Sequence, residues 1–258
     1  MGELRTQIEA ATVPVGAVQL WWLGGAGFAF KTATGRVLFL DPYLSDSVER
    51  LHGFKRMVPP PLLPDDVRCD AVLCTHDHTD HLDPDTVPAI ARNNPGCVFA
   101  GPASCVAAFR GLGIAPTRLV ELPLRGVAEV IGVNVHTVPS DHGDYAADAV
   151  TPLLDCGGVR VLHSGDTSLC PLRFKPLYDL HPDLLLPCIN GNFGNMNAID
   201  AAQMARLRRA GCVELTFGID TGSQRLSNLM RKGYKLEKAI ETVERAYDAG
   251  IKDCRQCG

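Results

Sequence analysis

The run Thr75-His76-Asp77-His78-Thr79-Asp80-His81 constrains this chain more than any other stretch. Three imidazoles and the Asp80 carboxylate fall within six residues, directly after the apolar run Asp70-Ala71-Val72-Leu73-Cys74. An apolar run of that length between polar residues reads as a buried strand. The cluster therefore sits where a strand ends and a loop begins. Imidazole nitrogen and carboxylate oxygen are the ligands that a divalent ion such as Zn2+ accepts. In an extended or turning loop His76 and His78 can point the same way, because side chains alternate with period two. Asp80 and His81 are adjacent, so they should point apart and can serve two different metals. The competing reading is a solvated polar loop, but with eight histidines in the whole chain a chance cluster of three is a poor explanation.

Composition narrows the class. Hydrophobic residues make up 46% and charged residues 21% of the 258 residues, ordinary for a globular protein of one large or two small domains. A net charge of -4 leaves no basic footprint for nucleic acid. No apolar run approaches the ~20 residues of a membrane span. Residues Met1 to Ala10 are polar and lack the apolar core of a secretion signal. The expectation is a cytoplasmic protein acting on a small-molecule substrate, with neither nucleic acid nor membrane as partner. Ten cysteines do not make a disulfide framework in a chain of this length. Cys69, Cys74, Cys97, Cys156, Cys188 and Cys212 lie in or beside apolar runs, as buried thiols do. Cys254 and Cys257 form one Cys-x-x-Cys pair without the second pair a zinc site needs.

Along the chain, 18–23, 28–31 and 36–40 read as strands joined by Gly24-Gly25-Ala26-Gly27 and Ala33-Thr34-Gly35. A proline-rich connection with Pro59-Pro60-Pro61 and Pro64 follows, read either as a lid or as a plain surface loop. Pro84 suits a helix start, with a helix over 85–93. A strand over 98–100 precedes a helix over 103–110 stopped by Gly111. One strand is expected over 129–138. A hairpin pairs 150–156 with 159–163 around Gly157-Gly158. A buried strand over 183–189 and a helix over 198–210 stopped by Gly211 follow. This pattern by itself defines a mixed α/β fold.

The His-x-His-x-Asp-His run after a strand resembles the signature of the metallo-β-lactamase superfamily. So do Leu20-Trp21-Trp22-Leu23-Gly24-Gly25-Ala26-Gly27-Phe28, Phe39-Leu40-Asp41-Pro42-Tyr43-Leu44-Ser45-Asp46 and His163-Ser164-Gly165-Asp166-Thr167. Within that superfamily these runs are similar to the L-ascorbate-6-phosphate lactonase-like branch, over residues 15 to 211. The resemblance implies an αββα sandwich and a metal-dependent hydrolase, lactonase-like or acting on a phosphoester, that uses a metal-bound hydroxide. It implies two divalent ions, Zn2+ or Mn2+, and self-association. His76, His78 and His142 would form the first site, with His136 as the rival of His142. Asp80 and His81 would belong to the second site, Asp80 also orienting the hydroxide, and Asp166 would bridge both ions. Asp41 would support the metal loop from behind, or else serve as an Asp-Pro turn. Asn190, Asn192 and Asn195 would contact substrate, or else form a Gly/Asn turn.

The resemblance fails after Gly211, which divides the chain into a hydrolase-like domain over 1–211 and an atypical strand-helix segment over 212–258. The superfamily closes its second site with a late histidine, whereas the last histidine of this sequence is His181. From Phe217-Gly218-Ile219-Asp220 through Leu229-Met230-Arg231-Lys232-Gly233 the segment resembles a piece of a radical SAM enzyme, without that family's cluster-binding cysteines. Residues 213–217 can replace the final strand, and 235–249 has helical spacing. Asp220 falls near the position of the lost histidine and is a candidate stand-in ligand. Two further readings follow: a metal-binding but catalytically impaired fusion, and a mononuclear iron redox member of the same fold.

Overall fold

The computed structural model describes residues 3–142, 145–168, 171–188, 195–196, 214–217 and 253–256. The chain forms two compact units, Met1–Val135 with Asp155–Val159, and His136–Leu154 with Arg160–Gly258.

The first unit opens with helix α1 (Glu3–Ala10), which sequence periodicity did not reveal, and then builds a sheet. Strands β1 (Val18–Gly24), β2 (Gly27–Thr32) and β3 (Val37–Leu40) run antiparallel, as their glycine turns lead one to expect. Helix α2 (Ser47–His52) and a 3-10 turn at Pro64–Asp66 interrupt the proline-rich connection. Then β4 (Ala71–Leu73), β5 (Val98–Gly101) and β6 (Leu119–Glu121) add in parallel, so the sheet order is β1-β2-β3-β4-β5-β6.

Parallel strands buried on both faces are near-continuously apolar. That is why Ala71-Val72-Leu73 lacks alternation and all three residues are sealed from solvent. Helices α3 (Thr86–Asn93) and α4 (Ala103–Gly111) bury Val87, Ile90 and Phe109 in one core with Phe39, Val72 and Phe99. Gly111 ends α4, but Gly113 makes the left-handed stop, at φ 82°, with its N–H on the Arg110 carbonyl.

The register of β3 on β4 pairs Leu40 with Leu73. Asp41 and the run from Thr75 onward therefore leave the same ends of neighbouring parallel strands, where α/β sheets place their ligand-binding loops.

One expectation is corrected. The strand expected over 129–138 is a hairpin, β7 (Gly126–Val130) and β8 (Val133–Pro139). It turns at Ile131-Gly132 with φ of 51° and 84°. Two positive φ values define the turn that matches strand twist. Isoleucine rarely occupies the first of them, so no Asn-Gly signal marked the turn.

Strands β9 (Val150–Asp155) and β10 (Arg160–His163) are joined through Gly157-Gly158, at φ 75° and 97°, where the sequence placed the turn. Helix α5 (Pro171–Tyr178) leads to β11 (Leu184–Leu186), shorter than the strand expected over 183–189. Strand β12 (Glu214–Phe217) pairs in parallel with β11, and β13 (Asp253–Gln256) in parallel with β12. The second sheet is ordered β13-β12-β11-β10-β9-β8-β7. The segment after Gly211 thus supplies the strand expected over 213–217. The helices expected over 198–210 and 235–249 lie outside the described residues.

Candidate metal centre

In the first unit, the loop after β4 is organised around one buried carboxylate. Asp41 has a left-handed backbone, φ 47°, and no solvent exposure. A non-glycine residue in that region is uncommon, and aspartate is among those that tolerate it. Its Oδ1 accepts the Thr75 N–H at 2.8 Å, and its Oδ2 accepts the Thr75 hydroxyl at 2.8 Å and pairs with His81 Nδ1 at 2.7 Å.

A carboxylate only accepts, so His81 Nδ1 carries the proton. The Thr75 hydroxyl has one proton and gives it to Asp41, so at the His76 Nδ1 contact of 3.1 Å it is the acceptor. Both rings are therefore assigned the Nδ1–H form with a lone pair at Nε2.

His76 Nε2 lies 3.0 Å from His78 Nδ1. Two nitrogens about 2.0–2.1 Å from one Zn2+ at tetrahedral angles stand about 3.3 Å apart, and closer at smaller angles. The pair fits a shared divalent ion, and the neutral-imidazole donor set is the one zinc and its neighbours take.

The loop turns, and one expectation is corrected. His81 and Leu82 both donate their N–H to the His78 carbonyl, at 2.9 and 2.7 Å. The turn brings Asp80 Oδ2 to 3.8 Å from His81 Nε2, so these neighbours do not point apart. The Asp80 side chain is half-exposed, whereas His76 and His81 are buried.

In the second unit, His142 Nε2 stands 3.9 Å from Asp166 Oδ2. The residues beside them are latched. Asp141 N–H donates to Thr167 Oγ1 at 2.8 Å, and Ser168 N–H returns to the Asp141 carbonyl at 2.8 Å. The Ser168 hydroxyl donates to Asp141 Oδ2 at 2.5 Å, and Arg173 of α5 holds the Ser140 carbonyl at 2.6 Å. Gly165, at φ 57°, turns the chain so that its N–H meets His163 Nδ1 at 3.0 Å.

Among the described residues, those able to ligate a metal ion include His76, His78 and His81 in the first unit, and His142 and Asp166 in the second. His136 is half-buried within β8, and His181 is exposed in the turn before β11, at φ 53°. Asn195 is buried, and neither of its amide atoms has a hydrogen-bond partner among the described residues. Asn190, Asn192 and Asp220 lie outside the described residues.

Sequence reasoning passed over Asp83, which is fully buried and gathers five donors. Nothing in the sequence separates it from Asp77 or Asp85 nearby. In the proline-rich connection, Arg56 stacks 4.4 Å over the Tyr43 ring and donates to the Tyr43 and Val58 carbonyls. Burial pushes the Tyr43 phenol up, the Arg56 guanidinium opposes this, and Asp83 and Asp80 add to the rise.

The family model described as Beta-lactamase superfamily domain matches residues 36–212, more than half of the chain. The chain belongs to that superfamily. A second model, Radical SAM superfamily, matches residues 176–257, the part that carries β11, β12 and β13. A probable L-ascorbate-6-phosphate lactonase of Shigella boydii is 29% identical over 204 residues, 64% of this chain and 58% of the relative. The chain thus spans little more than half the length of that lactonase. A metal-dependent hydrolase of Polynucleobacter asymbioticus is 29% identical over 214 residues, 74% of this chain and 70% of the relative. Among solved structures, a metallo-hydrolase of the archaeon Ignicoccus hospitalis superposes with a TM-score of 0.63 at 18% identity, covering 93% of this chain and 94% of that one. At that identity the likeness speaks for the fold, the mixed α/β metallo-β-lactamase fold with its two sheets. No helix among the described residues is long and apolar enough to cross a membrane.

Proposed function

We propose that this chain is a metal-dependent hydrolase that opens a lactone or cleaves a phosphoester of a small molecule. The observation that carries the reading is the approach of His76 Nε2 to His78 Nδ1 at 3.0 Å, with the His76 tautomer set by Thr75 and Asp41. His76, His78 and His142 would hold one divalent ion, Zn2+ or Mn2+, and Asp80, His81 and Asp166 would serve a second. A bound pair of such ions lowers the pKa of water to about 7 and polarises the oxygen that gains charge.

The chain's own residues do the rest. Asp41 keeps His81 in the Nδ1–H form. Asp80, half-exposed beside His81 Nε2, accepts a proton from the attacking water and orients it. Asn195, with Asn190 and Asn192, offers amide donors to the substrate's polar oxygens. Asp220 would stand in as a ligand for the superfamily's late histidine, and the chain works in the cytoplasm.

A second reading has its own support. The sequence carries no histidine after His181, and from residue 176 onward it matches another family. On that reading the chain binds metal but is catalytically impaired. The full chain, loaded with Zn2+ or Mn2+, is to be assayed against sugar lactones and phosphoesters, with and without chelator and as Asp80→Asn. Turnover lost in both controls supports the hydrolase. Stoichiometric metal without turnover on either class supports the impaired fusion, and turnover untouched by chelator overturns both readings. Redox turnover with one iron per chain would point to an oxygenase-type member of the fold instead.

A further inference from the structure

Two loops of the first unit are fastened to each other by carboxylates working in opposite directions. Asp41, at the end of β3, accepts from Thr75 and His81 of the metal loop. Asp83, two residues past His81, accepts from the loop that follows Asp41. Its Oδ2 takes Leu44 N–H at 3.2 Å and Ser45 N–H at 3.0 Å, and its Oδ1 takes the Ser45 hydroxyl at 2.8 Å. Asp85 N–H at 3.1 Å and the Thr86 hydroxyl complete the set. The carboxylate is fully buried, and all five of these donors are neutral.

A buried carboxylate is tolerated only where donors meet it. Removing its acceptor oxygens would leave the Ser45 amide and hydroxyl to find other partners, while the Leu44 N–H keeps its contact with the Thr86 hydroxyl at 3.2 Å. Without the Asp83 carboxylate the loop after Asp41 loses both Ser45 contacts. With Asp83 they meet at two points that bracket His81 in sequence.

We propose that Asp83 is a positioning residue: with Asp41 it forms a reciprocal staple that fixes the His81 ring against Asp41 and so aims His81 Nε2. The inference rests on the hydrolase reading in so far as His81 is a metal ligand, but the orientation of the ring can be read without metal. The alternative role for Asp83 is to start α3, because Asp85 and Thr86 are also its donors. The test separates the two with Ser45→Ala, which removes the hydroxyl's bond to Asp83 and its contact with the Ser47 N–H and leaves the bonds from Asp85 and Thr86. Its control is Val87→Ala, which loosens the buried face of α3 and leaves every bond to Asp83 in place.

The readouts are the His81 Nδ1–H proton resonance of the full chain, before and after adding Zn2+, and the Zn2+ dissociation constant. The staple predicts that Ser45→Ala shifts or broadens the His81 resonance and weakens Zn2+ a few-fold. It predicts that Asp83→Asn weakens Zn2+ by about tenfold or more, and that Val87→Ala lowers the melting temperature with resonance and affinity unchanged. A Ser45→Ala resonance identical to wild type, or an equal change in Val87→Ala, overturns the inference even if Asp83→Asn fails to fold. A wild-type chain that shows the resonance but takes up no Zn2+ counts against the hydrolase reading and leaves the staple standing.

Discussion

His81 donates its Nδ1 proton to Asp41 Oδ2 across 2.7 Å, and both side chains are closed to solvent. An outer carboxylate of this kind orients a ligand ring and raises its basicity. In Asp41→Asn the amide can still accept the Thr75 N–H. It cannot accept from the Thr75 hydroxyl and the His81 ring with its other atom, which is a donor. Loss of those bonds should cost about 1.5–3 kcal/mol of stability and weaken metal binding about 10–100-fold. Urea unfolding and Zn2+ titration check the two numbers separately.

The backbone around Asp41 is tightly enclosed. A Cβ on Gly27 would stand 2.9 Å from the Asp41 carbonyl and 3.2 Å from that of Gly24. Gly27→Ala must therefore push Asp41, which already sits at φ 47°. The expected cost is about 1–3 kcal/mol, with weaker metal binding as Asp41 moves. Gly96→Ala is the control, since nothing lies within 4 Å of its added Cβ. Its unfolding midpoint should stay close to wild type.

The latch in the second unit predicts a different signature. Ser168 donates to Asp141 Oδ2 at 2.5 Å, but the Asp141 side chain is 44% exposed. Water can replace that bond, so Ser168→Ala should change stability by less than about 1 kcal/mol. The same bond helps to keep the residues beside His142 and Asp166 in register. Metal affinity should therefore fall several-fold while the melting temperature holds. Equal losses in both would reduce the latch to ordinary packing.

Strands β3 to β5 and the metal loop are legible in the sequence because both-faces-buried strands are uninterrupted apolar runs and because three close histidines have few uses. The β7–β8 turn is not, because Ile131 holds a positive φ that local propensity disfavours. Helix α1 is short and polar, with Ile8 as its buried residue, so its periodicity is too weak to read. Asp41 stands out through its Asp-Pro context. Asp83 does not, because its role depends on which backbone amides the folded loop brings to it. The turn at His78 likewise overrode the alternation that would have parted Asp80 from His81.

Buried thiols predict an alkaline weakness. Burial pushes the Cys156 thiol up to about 12 from an ordinary value of 9.0, and holds Cys74 well above that ordinary value too. In the unfolded chain these thiols ionise near the ordinary value, while the folded chain keeps them protonated. The unfolded state therefore releases protons first, and stability falls as pH rises from about 9 towards 12. Urea midpoints measured between about pH 8 and pH 10.5 should decline, with a shallower slope in Cys156→Ala. At neutral pH the folded protein should resist alkylation at Cys74 and Cys156.

Elemental analysis of the purified full chain, with His76→Ala, His81→Ala and Asp220→Ala alongside, tests the metal centre most directly. The account predicts about two Zn2+ or Mn2+ ions per chain, fewer in His76→Ala, and the loss of one ion in both His81→Ala and Asp220→Ala. Metal that is absent from wild type, or that survives unchanged in His76→Ala and His81→Ala, would contradict it.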